Sequence, residues 1–395
     1  MTETIRIAVR KFPPFETAIV RQFGDFVRAS GVDARVEIEA FDLNPLHERL
    51  FERQALRKGE FDIAFLSTDW VAEAHQVGAL ADLTPYLERA PIPDFPDAWS
   101  PSLLKLQQFD GGFWGMPYHD GPQCLIYRKD LFDAAGLAPP RTWEEFVAVA
   151  RKLHAPEAGR YGTVLALYPD GHNSFYDFCV HVWTRGGEPF SEDGRPDLVS
   201  NEAIAALDFI RGLAADADAM APNPRELDSV KSGLMFCEGK IALMTNWFGF
   251  AALGDSVDGP VKGKVDVAPL PSSGGRSVSL NVFWMLTLAS GSRRPELAWA
   301  FMRHAASPPM DLLTTKEGAI GVRRSTWSDP DVNAQIPYYG KLDMLHGFAR
   351  ELPRHPRLAD FAHAIDEMLS QALTSATPSR DLLVEAEAQI KGLLA

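Results

Sequence analysis

Residues 5–41 read IRIAVRKFPPFETAIVRQFGDFVRASGVDARVEIEAF, and residues 61–66 read FDIAFL. The runs IRIAV, VEIEAF and FDIAFL are rich in β-branched and aromatic residues and predict three strands. Between the first two, apolar residues from Ile19 to Val27 recur three and four positions apart, which predicts an amphipathic helix over 17–29. Such an alternation predicts a parallel sheet with helices on its faces. We therefore expect ligand-binding side chains at the carboxyl ends of these strands.

Strands and helices alternate along the rest of the chain, with breaks near residues 120 and 270. Thr142, followed three residues later by Glu145, predicts a capping box at the start of a helix. The pattern as a whole predicts a two-domain α/β protein with a cleft between its lobes. Further strands are predicted at residues 113–118, 124–128, 161–169, 265–271 and 279–289, and helices at 172–187 and 201–216.

Composition excludes several classes of protein. The 395 residues carry 39 Lys and Arg against 53 Asp and Glu, so the formal net charge is −14, which argues against nucleic acid or anionic lipid as the main partner. No window offers the roughly 18 consecutive apolar residues of a membrane-spanning helix. The three cysteines show no zinc-ligand spacing, and we expect neither metal nor cofactor. The first residues, MTETIRIAVRKF, lack the features of a signal peptide, so we expect that the protein is cytosolic or that its export signal was removed or misassigned.

Several longer stretches are similar to one known family. Residues 61–87 contain a strand, a helix and the motif G-x-L-x-D-L-T-P, and residues 111–146 read GGFWGMPYHDGPQCLIYRKDLFDAAGLAPPRTWEEF. Together with FCEGKIALMTNWF (236–248) and GVRRSTWSDPDV (321–332), they resemble the family 1 extracellular solute-binding proteins. These are the maltose-binding-protein-like sugar receptors of ABC importers. Arg128 departs from the family pattern, which usually has Asn at that position.

The resemblance implies a periplasmic-binding-protein fold, in which each of two lobes is a sheet flanked by helices. It also implies a periplasmic, monomeric receptor without catalytic machinery. Such a receptor captures a carbohydrate or related polyhydroxylated ligand by lobe closure and delivers it to membrane permease subunits. From the matched motifs we expect the chain to cross between lobes near residues 119–124, 268–272 and 317–323. The predicted lobes are residues 1–120 plus 272–318, and residues 121–271 plus 319–395.

A sugar presents an apolar ring face and a rim of hydroxyl groups, so its binding site needs flat aromatic rings and planar hydrogen-bonding groups. The chain has 9 Trp, 24 Phe and 8 Tyr, several of them beside polar residues in predicted loops. The candidate ligand-binding residues are Phe12, Ser67, Asp69, Trp70, Tyr118, His119, Asp120, His172, Asn173, Trp247, Phe248, Asn281, Trp284, Arg323 and Arg324.

Each candidate has a structural alternative. Asp69 and Asn173 are also suited to capping a helix, and Trp70 to packing in a core. An arginine at 323 or 324 could form a salt bridge between the lobes. Alternatively, its guanidinium could bind vicinal hydroxyls or the carboxylate of an acidic sugar or sugar conjugate.

Enzyme activity is the competing hypothesis from another class. Cys124 could act as a nucleophile with His119 as its base, since both flank the first predicted crossover. A pair of carboxylates could hydrolyse a glycoside. Cys124 lies in the apolar run CLIY, however, where a free cysteine packs as a small apolar side chain. The chain lacks GxSxG, HExxH, Walker A and GxGxxG motifs.

Overall fold

A computed structural model describes residues 2–191, 193–256 and 258–395. In this part of the chain the strands, in order, are β1 (Glu3–Arg10), β2 (Ala34–Phe41), β3 (Ile63–Ser67), β4 (Gln108–Phe109), β5 (Gly112–Phe113), β6 (Met116–His119), β7 (Gln123–Arg128), β8 (Leu243–Trp247), β9 (Val265–Ala268), β10 (Ser279–Leu280), β11 (Trp284–Leu288) and β12 (Ala349–Arg350). The α-helices are α1 (Pro13–Ser30), α2 (Leu43–His47), α3 (Val71–Gln76), α4 (Thr84–Arg89), α5 (Pro101–Lys105), α6 (Lys129–Ala135), α7 (Trp143–Leu153), α8 (Asn173–Trp183), α9 (Asn201–Ala214), α10 (Ser229–Cys237), α11 (Phe248–Ser256), α12 (Pro295–Ala305), α13 (Pro308–Lys316), α14 (Arg324–Trp327), α15 (Pro330–Gln335), α16 (Leu342–His346), α17 (Leu358–Thr374) and α18 (Ser379–Leu394).

The chain forms two units. Unit 1 consists of Met1–Gly121 and Val282–Asp343, and unit 2 of Pro122–Asn281 and Met344–Ala395. No helix in the described ranges is long and apolar enough to cross a membrane.

Unit 1 is built on a five-stranded sheet in the order β2-β1-β3-β11-β6. β1 pairs in parallel with β2 and β3, as the opening sequence predicts, whereas β11 runs antiparallel to β3 and to β6. The carboxyl ends of β1, β3 and β6 therefore lie at the same edge as the start of β11. Ser67 and His119 both pair with Trp284 at that edge.

Helix α1 confirms the predicted amphipathic helix and extends it towards the N-terminus. Pro13 and Pro14 occupy its first turn, where a missing N–H costs nothing. Phe15, Ile19 and Phe23 are buried on its inner face. Gly31 ends the helix with φ of 71°, and its N–H donates to the Val27 carbonyl. The amphipathic pattern therefore fixes how this helix packs in unit 1.

Unit 2 contains a three-stranded sheet in the order β8-β7-β9, with β7 antiparallel to both neighbours. Gln123, at the start of β7, pairs with Trp247, at the end of β8. The capping box before α7 is confirmed, because Thr142 Oγ1 accepts from the Glu145 N–H and the Glu145 carboxylate accepts from the Thr142 N–H.

Two predicted crossings differ from the structure, where the chain passes between units at Asn281 to Val282 and at Asp343 to Met344. Residues 272–281 belong to unit 2 because β10 pairs with β12 and the Asn281 N–H donates to the Arg350 carbonyl. Residues 319–343 belong to unit 1 because their backbone is bonded there. For example, the Arg324 N–H donates to the Ala98 carbonyl. The predicted boundaries at 271/272 and 318/319 are corrected accordingly.

Residues 113–118, predicted as one strand, are divided between β5 and β6, which belong to different sheets. Two further predicted strands also differ. Residues 161–169 form isolated bridges at Tyr161 and Thr163 instead of a strand. Further along this segment, the Leu167 N–H donates to the Pro224 carbonyl and the Tyr168 N–H to the Leu227 carbonyl. The predicted strand 279–289 is divided into β10 in unit 2 and β11 in unit 1, since the chain changes unit between them. Apolar composition alone does not reveal either interruption.

Candidate functional site

The first candidate surface lies where β3 and β6 end and β11 begins. We call it the unit 1 edge, and its residues are Phe12, Ser67, Asp69, His119 and Trp284. Phe12 follows β1, and Asp69 follows β3. Register places the other three side by side on neighbouring strands. All except Ser67 are partly exposed. The structure thus brings together five of the fifteen predicted residues.

Aromatic rings form a continuous cluster at the unit 1 edge. The centroid of Phe15 lies 4.9 Å from that of His119 and 6.4 Å from that of Trp284. Phe12 lies 6.2 Å from His119, and Trp284 packs edge-on against Trp70 at 5.9 Å. Buried neighbours therefore hold the partly exposed Trp284 ring in one orientation, as a stacking surface for a sugar requires.

Polar groups are fixed beside these rings. The Ser67 hydroxyl donates to Asp69 Oδ1. His119 Nδ1 accepts from the Ile320 N–H at 2.8 Å, which leaves the ring proton on Nε2. Burial lowers the pKa of His119 to about 4, so the imidazole is neutral at physiological pH. The edge therefore offers a neutral donor and a carboxylate acceptor.

Three other candidates of unit 1 lie in its interior. Trp70 is 4% exposed and packs in an apolar cluster with Phe51. The Tyr118 hydroxyl donates to Gln22 Oε1 at 2.9 Å, and burial raises the pKa of this tyrosine. Asp120 is 1% exposed, and its N–H donates to the Ile320 carbonyl. The ligand role predicted for Tyr118 is corrected to packing, because its polar atom is used inside unit 1.

Arg323 is also corrected, because it is an internal residue. Its Nε donates to the Ala306 carbonyl at 2.7 Å and its Nη2 to the Pro93 carbonyl at 3.0 Å. Its guanidinium lies 4.3 Å from the centre of the Trp99 ring. Arg324 is exposed, so the alternative of an anion-binding arginine stays a prediction for that residue alone.

The second candidate surface lies in unit 2. We call it the unit 2 edge, and its residues are Gln123, Asn173, Asp177 and Trp247. Trp247 is partly exposed and donates from Nε1 to Asn173 Oδ1 at 3.0 Å. Gln123 pairs with Trp247 in register and donates from Nε2 to Asp177 Oδ1 at 2.8 Å. Hydrogen bonds between side chains thus join one end of this sheet to the first turns of α8.

Asp170 orients this network from the loop before α8. Its Oδ1 accepts from the His172 and Asn173 N–H groups, and its Oδ2 accepts from Asn173 Nδ2 at 3.3 Å. This contact directs the other amide atom, Oδ1, at the Trp247 indole. Tyr176 adds an edge-on ring 6.0 Å from Trp247, and the His172 ring lies 4.9 Å from Tyr176.

Two carboxyl groups in and near α8 have pKa values well above the ordinary value for aspartate. Burial raises the pKa of Asp177 to about 7, with Gln123 opposing this shift and the nearby Asp170 adding to it. Burial also raises the pKa of Asp366 to about 7, against hydrogen bonds from Ser174 and Gly171. Perturbed carboxyl groups of this kind concentrate at functional sites.

The remaining candidates of unit 2 are buried. Phe248 is fully buried at the start of α11, so its predicted ligand contact is corrected to packing. Asn281 is 3% exposed, and its N–H donates to the Arg350 carbonyl. Cys124 is fully buried inside β7, where a substrate could not reach the thiol.

Sequence reasoning missed Gln123, Asp170, Asp177, Tyr176 and Asp366. Asp177 follows Asn173 by four residues on a predicted helix, so helical spacing could have placed both on one face. Nothing in the sequence brings Asp366, on α17, to Gly171, because the two are 195 positions apart. In the described residues, no group of three or more His, Cys, Asp or Glu is arranged to hold a metal ion.

Three known proteins that are similar to this chain bind a sugar or a sugar alcohol. The maltose-bound protein MalE3 of T. maritima is 25% identical, with a TM-score of 0.90 and 99% coverage of both chains. A ribitol complex of an ABC transporter solute-binding protein from Agrobacterium radiobacter K84 is 25% identical, with a TM-score of 0.89 and coverage of 99% of this chain and 98% of that one. The mannitol-binding protein of Pseudomonas aeruginosa is 27% identical over 80% of this chain and 72% of its own length.

The sequence itself assigns the family. Residues 46–311 match the family of bacterial extracellular solute-binding proteins, which is well over half of the chain. The family and the structural neighbours are substrate-binding receptors, and they do not favour the enzyme hypothesis. This chain belongs to the bacterial extracellular solute-binding proteins.

Proposed function

We propose that the protein captures a polyhydroxylated ligand, a sugar or sugar alcohol, for an ABC importer. The observation that carries the proposal is that each unit presents one partly exposed tryptophan at the end of its sheet, beside fixed hydrogen-bonding groups. These are Trp284 with His119 and Asp69, and Trp247 with Asn173. A ring face and planar polar groups together match the two kinds of surface that a sugar presents.

Further support comes from similar proteins, whose names or titles give maltose, ribitol and mannitol as ligands. By the same likeness, we propose that the receptor works outside the cytoplasmic membrane with permease subunits. Lobe closure over the ligand and a monomeric state follow from the family resemblance and stay predictions. The deeply buried Cys124 gives no support to catalysis.

The test is a thermal-shift screen against ribitol, D-mannitol, maltose and related neutral sugars. A ligand at 100 times its dissociation constant adds about 2.7 kcal/mol to the free energy of unfolding, so a true ligand raises Tm by several degrees. Absence of a shift, together with no solute released on denaturation, would contradict the proposal. Consumption of the ligand over time would instead favour an enzyme.

Replacing Trp284 with alanine is expected to weaken ligand binding by at least about fivefold, since an aromatic anchor of this kind commonly contributes about 1 kcal/mol or more. Calorimetric titration measures the change. Trp114→Ala is the matched control, because both tryptophans are partly buried and pack against the same apolar cluster of unit 1. Trp114 lies just before the start of β6, whereas the unit 1 edge lies at the other end of that strand. We therefore expect the Trp114→Ala variant to bind the ligand normally. Equal losses in both variants would contradict a ligand role for Trp284.

Replacing Trp247 with phenylalanine keeps an aromatic ring but removes the indole N–H that donates a hydrogen bond to Asn173 Oδ1. We expect affinity to fall about three- to tenfold, because one hydrogen bond of net value about 0.5–1.5 kcal/mol no longer orients the ring. Trp143→Phe is the control, since Trp143 Nε1 donates to Thr184 Oγ1 at 3.0 Å in the interior of the same unit. If Trp143→Phe weakens binding as much, the loss reflects general destabilisation of unit 2.

A further inference from the structure

We propose that Asp177 is a ligand-binding residue of the unit 2 edge, and that it makes the receptor select neutral polyols against the corresponding sugar acids. The inference rests on the proposed function and deepens it, because it names the class of ligand that unit 2 accepts. It starts from the network of Gln123, Asn173, Asp177 and Trp247, which the structure holds at one end of the sheet.

Asp177 is only partly satisfied within the protein. Its Oδ1 accepts from Gln123 Nε2 at 2.8 Å, and this is the one hydrogen bond of its side chain among the described residues. Its side chain is largely but not fully buried, at 8% exposure. A carboxyl group accepts up to four hydrogen bonds, so Asp177 retains capacity for a donor from a ligand. A ligand hydroxyl can supply that donor.

No Lys or Arg of the described residues contributes to the pKa of Asp177. The ionisable groups of the neighbouring elements are Asp170 and His172 in the preceding loop, and His363 and Asp366 on α17, which packs against α8; His172 lowers the pKa of Asp366. Helix α9 also packs against α8, and its Arg211 donates to the Ala372 and Thr377 carbonyls. In the described ranges, no ion pair within 4.0 Å joins a Lys or Arg to Asp170, Asp177 or Asp366. A ligand carboxylate would therefore meet like charges here, and like-charge contacts discriminate strongly between ligands.

A ligand role for Asp177 would make ligand affinity depend on pH. A neutral polyol that donates to Asp177 favours its ionised form, so binding lowers the pKa of this carboxyl from about 7 and releases a proton. Affinity should then rise with pH until Asp177 is ionised in the free protein. A sugar acid favours the protonated form, so its weaker binding should improve as pH falls. The two ligand classes thus have opposite pH dependence.

The experiment compares ribitol, D-mannitol and maltose with ribonate, D-mannonate and maltobionate by calorimetry. Titrations are made at several pH values and in two buffers with different ionisation enthalpies. For a neutral ligand, the wild type is expected to bind about tenfold more tightly at about pH 7.5 than at about pH 5.5, with net proton release. Each acid is expected to bind at least about tenfold more weakly than its neutral partner at about pH 7.5, since an unfavourable charge contact removes 1.4 kcal/mol or more.

Two variants separate Asp177 from its neighbour Asp366. Asp177→Asn should lose both the proton release and the discrimination against acids, whereas Asp366→Asn should keep them. A third variant, Gln123→Met, removes the donor to Asp177 and should move the midpoint of the pH profile upward. It also guards against an Asp177 variant that folds poorly.

The outcomes are distinguishable. If no neutral probe binds to the wild type, the proposed function fails and this inference fails with it. If neutral probes bind but Asp177→Asn keeps the wild-type pH profile and discrimination, only the role of Asp177 is overturned. If only Asp366→Asn loses the pH dependence of ligand affinity, Asp366 is the group that responds to the ligand and the role proposed for Asp177 is overturned.

Discussion

Replacing Arg323 with alanine is expected to lower the free energy of unfolding by about 3–5 kcal/mol, because it breaks a buried network around a charged group. The Arg323 side chain donates to the Ala306 and Pro93 carbonyls and lies over the Trp99 ring. Truncation would leave both carbonyls without these donors and open a cavity beside the indole. It would also remove the positive charge that opposes the burial-raised pKa of Asp311.

Urea unfolding of the ligand-free protein measures this loss. The matched control is Arg324→Ala, the same substitution one residue later, where the side chain is exposed. Exposed substitutions usually change stability by no more than about 0.5 kcal/mol, so the control should unfold like the wild type. A loss below about 1 kcal/mol for Arg323→Ala would show that the buried guanidinium is not a structural requirement.

The difference between these arginines marks a limit of sequence reasoning. Arg323 and Arg324 are adjacent and chemically identical, and their shared motif resembles that of sugar receptors. Which one is buried depends on Asp311, whose carboxylate accepts from the Val322 and Arg323 N–H groups and turns the backbone. That contact links residues eleven and twelve positions apart through tertiary structure. Local patterns do not determine it.

Local signals did determine much of the fold. The apolar period of α1, the stop at Gly31 and the capping box of Thr142 and Glu145 are confirmed, because each depends on residues within a few positions of one another. The interruption of 279–289 was missed, since its two halves are equally apolar but pair with different units.

The residues of the candidate site also fall into those that local sequence indicates and those that only tertiary contacts identify. Trp247 could be identified as an aromatic residue at a strand end, where the sequence places it beside polar residues. Trp284 lies inside the predicted strand 279–289, and only the change of unit before β11 puts it at a strand end. Asp177 could not be singled out, because its importance comes from burial and from Gln123, 54 positions away. An aspartate in a predicted helix is common, and its pKa becomes unusual only because the fold buries the side chain away from water.

Asp177→Asn is expected to make the ligand-free protein more stable than the wild type by about 2–4 kcal/mol at about pH 8. The pKa of Asp177 in the folded protein, about 7, is raised above its ordinary value of 3.8. A group with a raised folded-state pKa contributes stability that is fully present below the unfolded-state pKa and is lost as pH rises through the folded-state pKa. At about pH 8 the native protein must therefore hold a buried charge, a cost that the neutral amide avoids while its oxygen can still accept from Gln123.

Urea unfolding of the two proteins without ligand tests this expectation, and the comparison must be made between variants. Neutral histidines in largely desolvated surroundings, such as His119, whose pKa is lowered to about 4, change stability with the opposite sign and mask the effect in the wild type alone. The advantage of Asp177→Asn should shrink by about 2 kcal/mol between about pH 8 and about pH 5.5, because the native carboxyl becomes protonated over this range while the unfolded-state carboxyl stays ionised. A constant difference across this range would contradict the raised pKa.

A stabilising substitution that abolishes ligand discrimination would explain why an uncompensated carboxyl occupies this position. Stability is commonly sacrificed where function requires a strained or desolvated group, and the loss is recovered when the ligand binds. A hydroxyl donor from a polyol would supply the second hydrogen bond that Asp177 lacks and lower its pKa. The pH range in which the free protein is weakened by Asp177 is thus the range in which a neutral ligand should stabilise it most. Thermal shifts with ribitol, D-mannitol or maltose should accordingly be larger at about pH 8 than at about pH 5.5 in the wild type, and equal in Asp177→Asn.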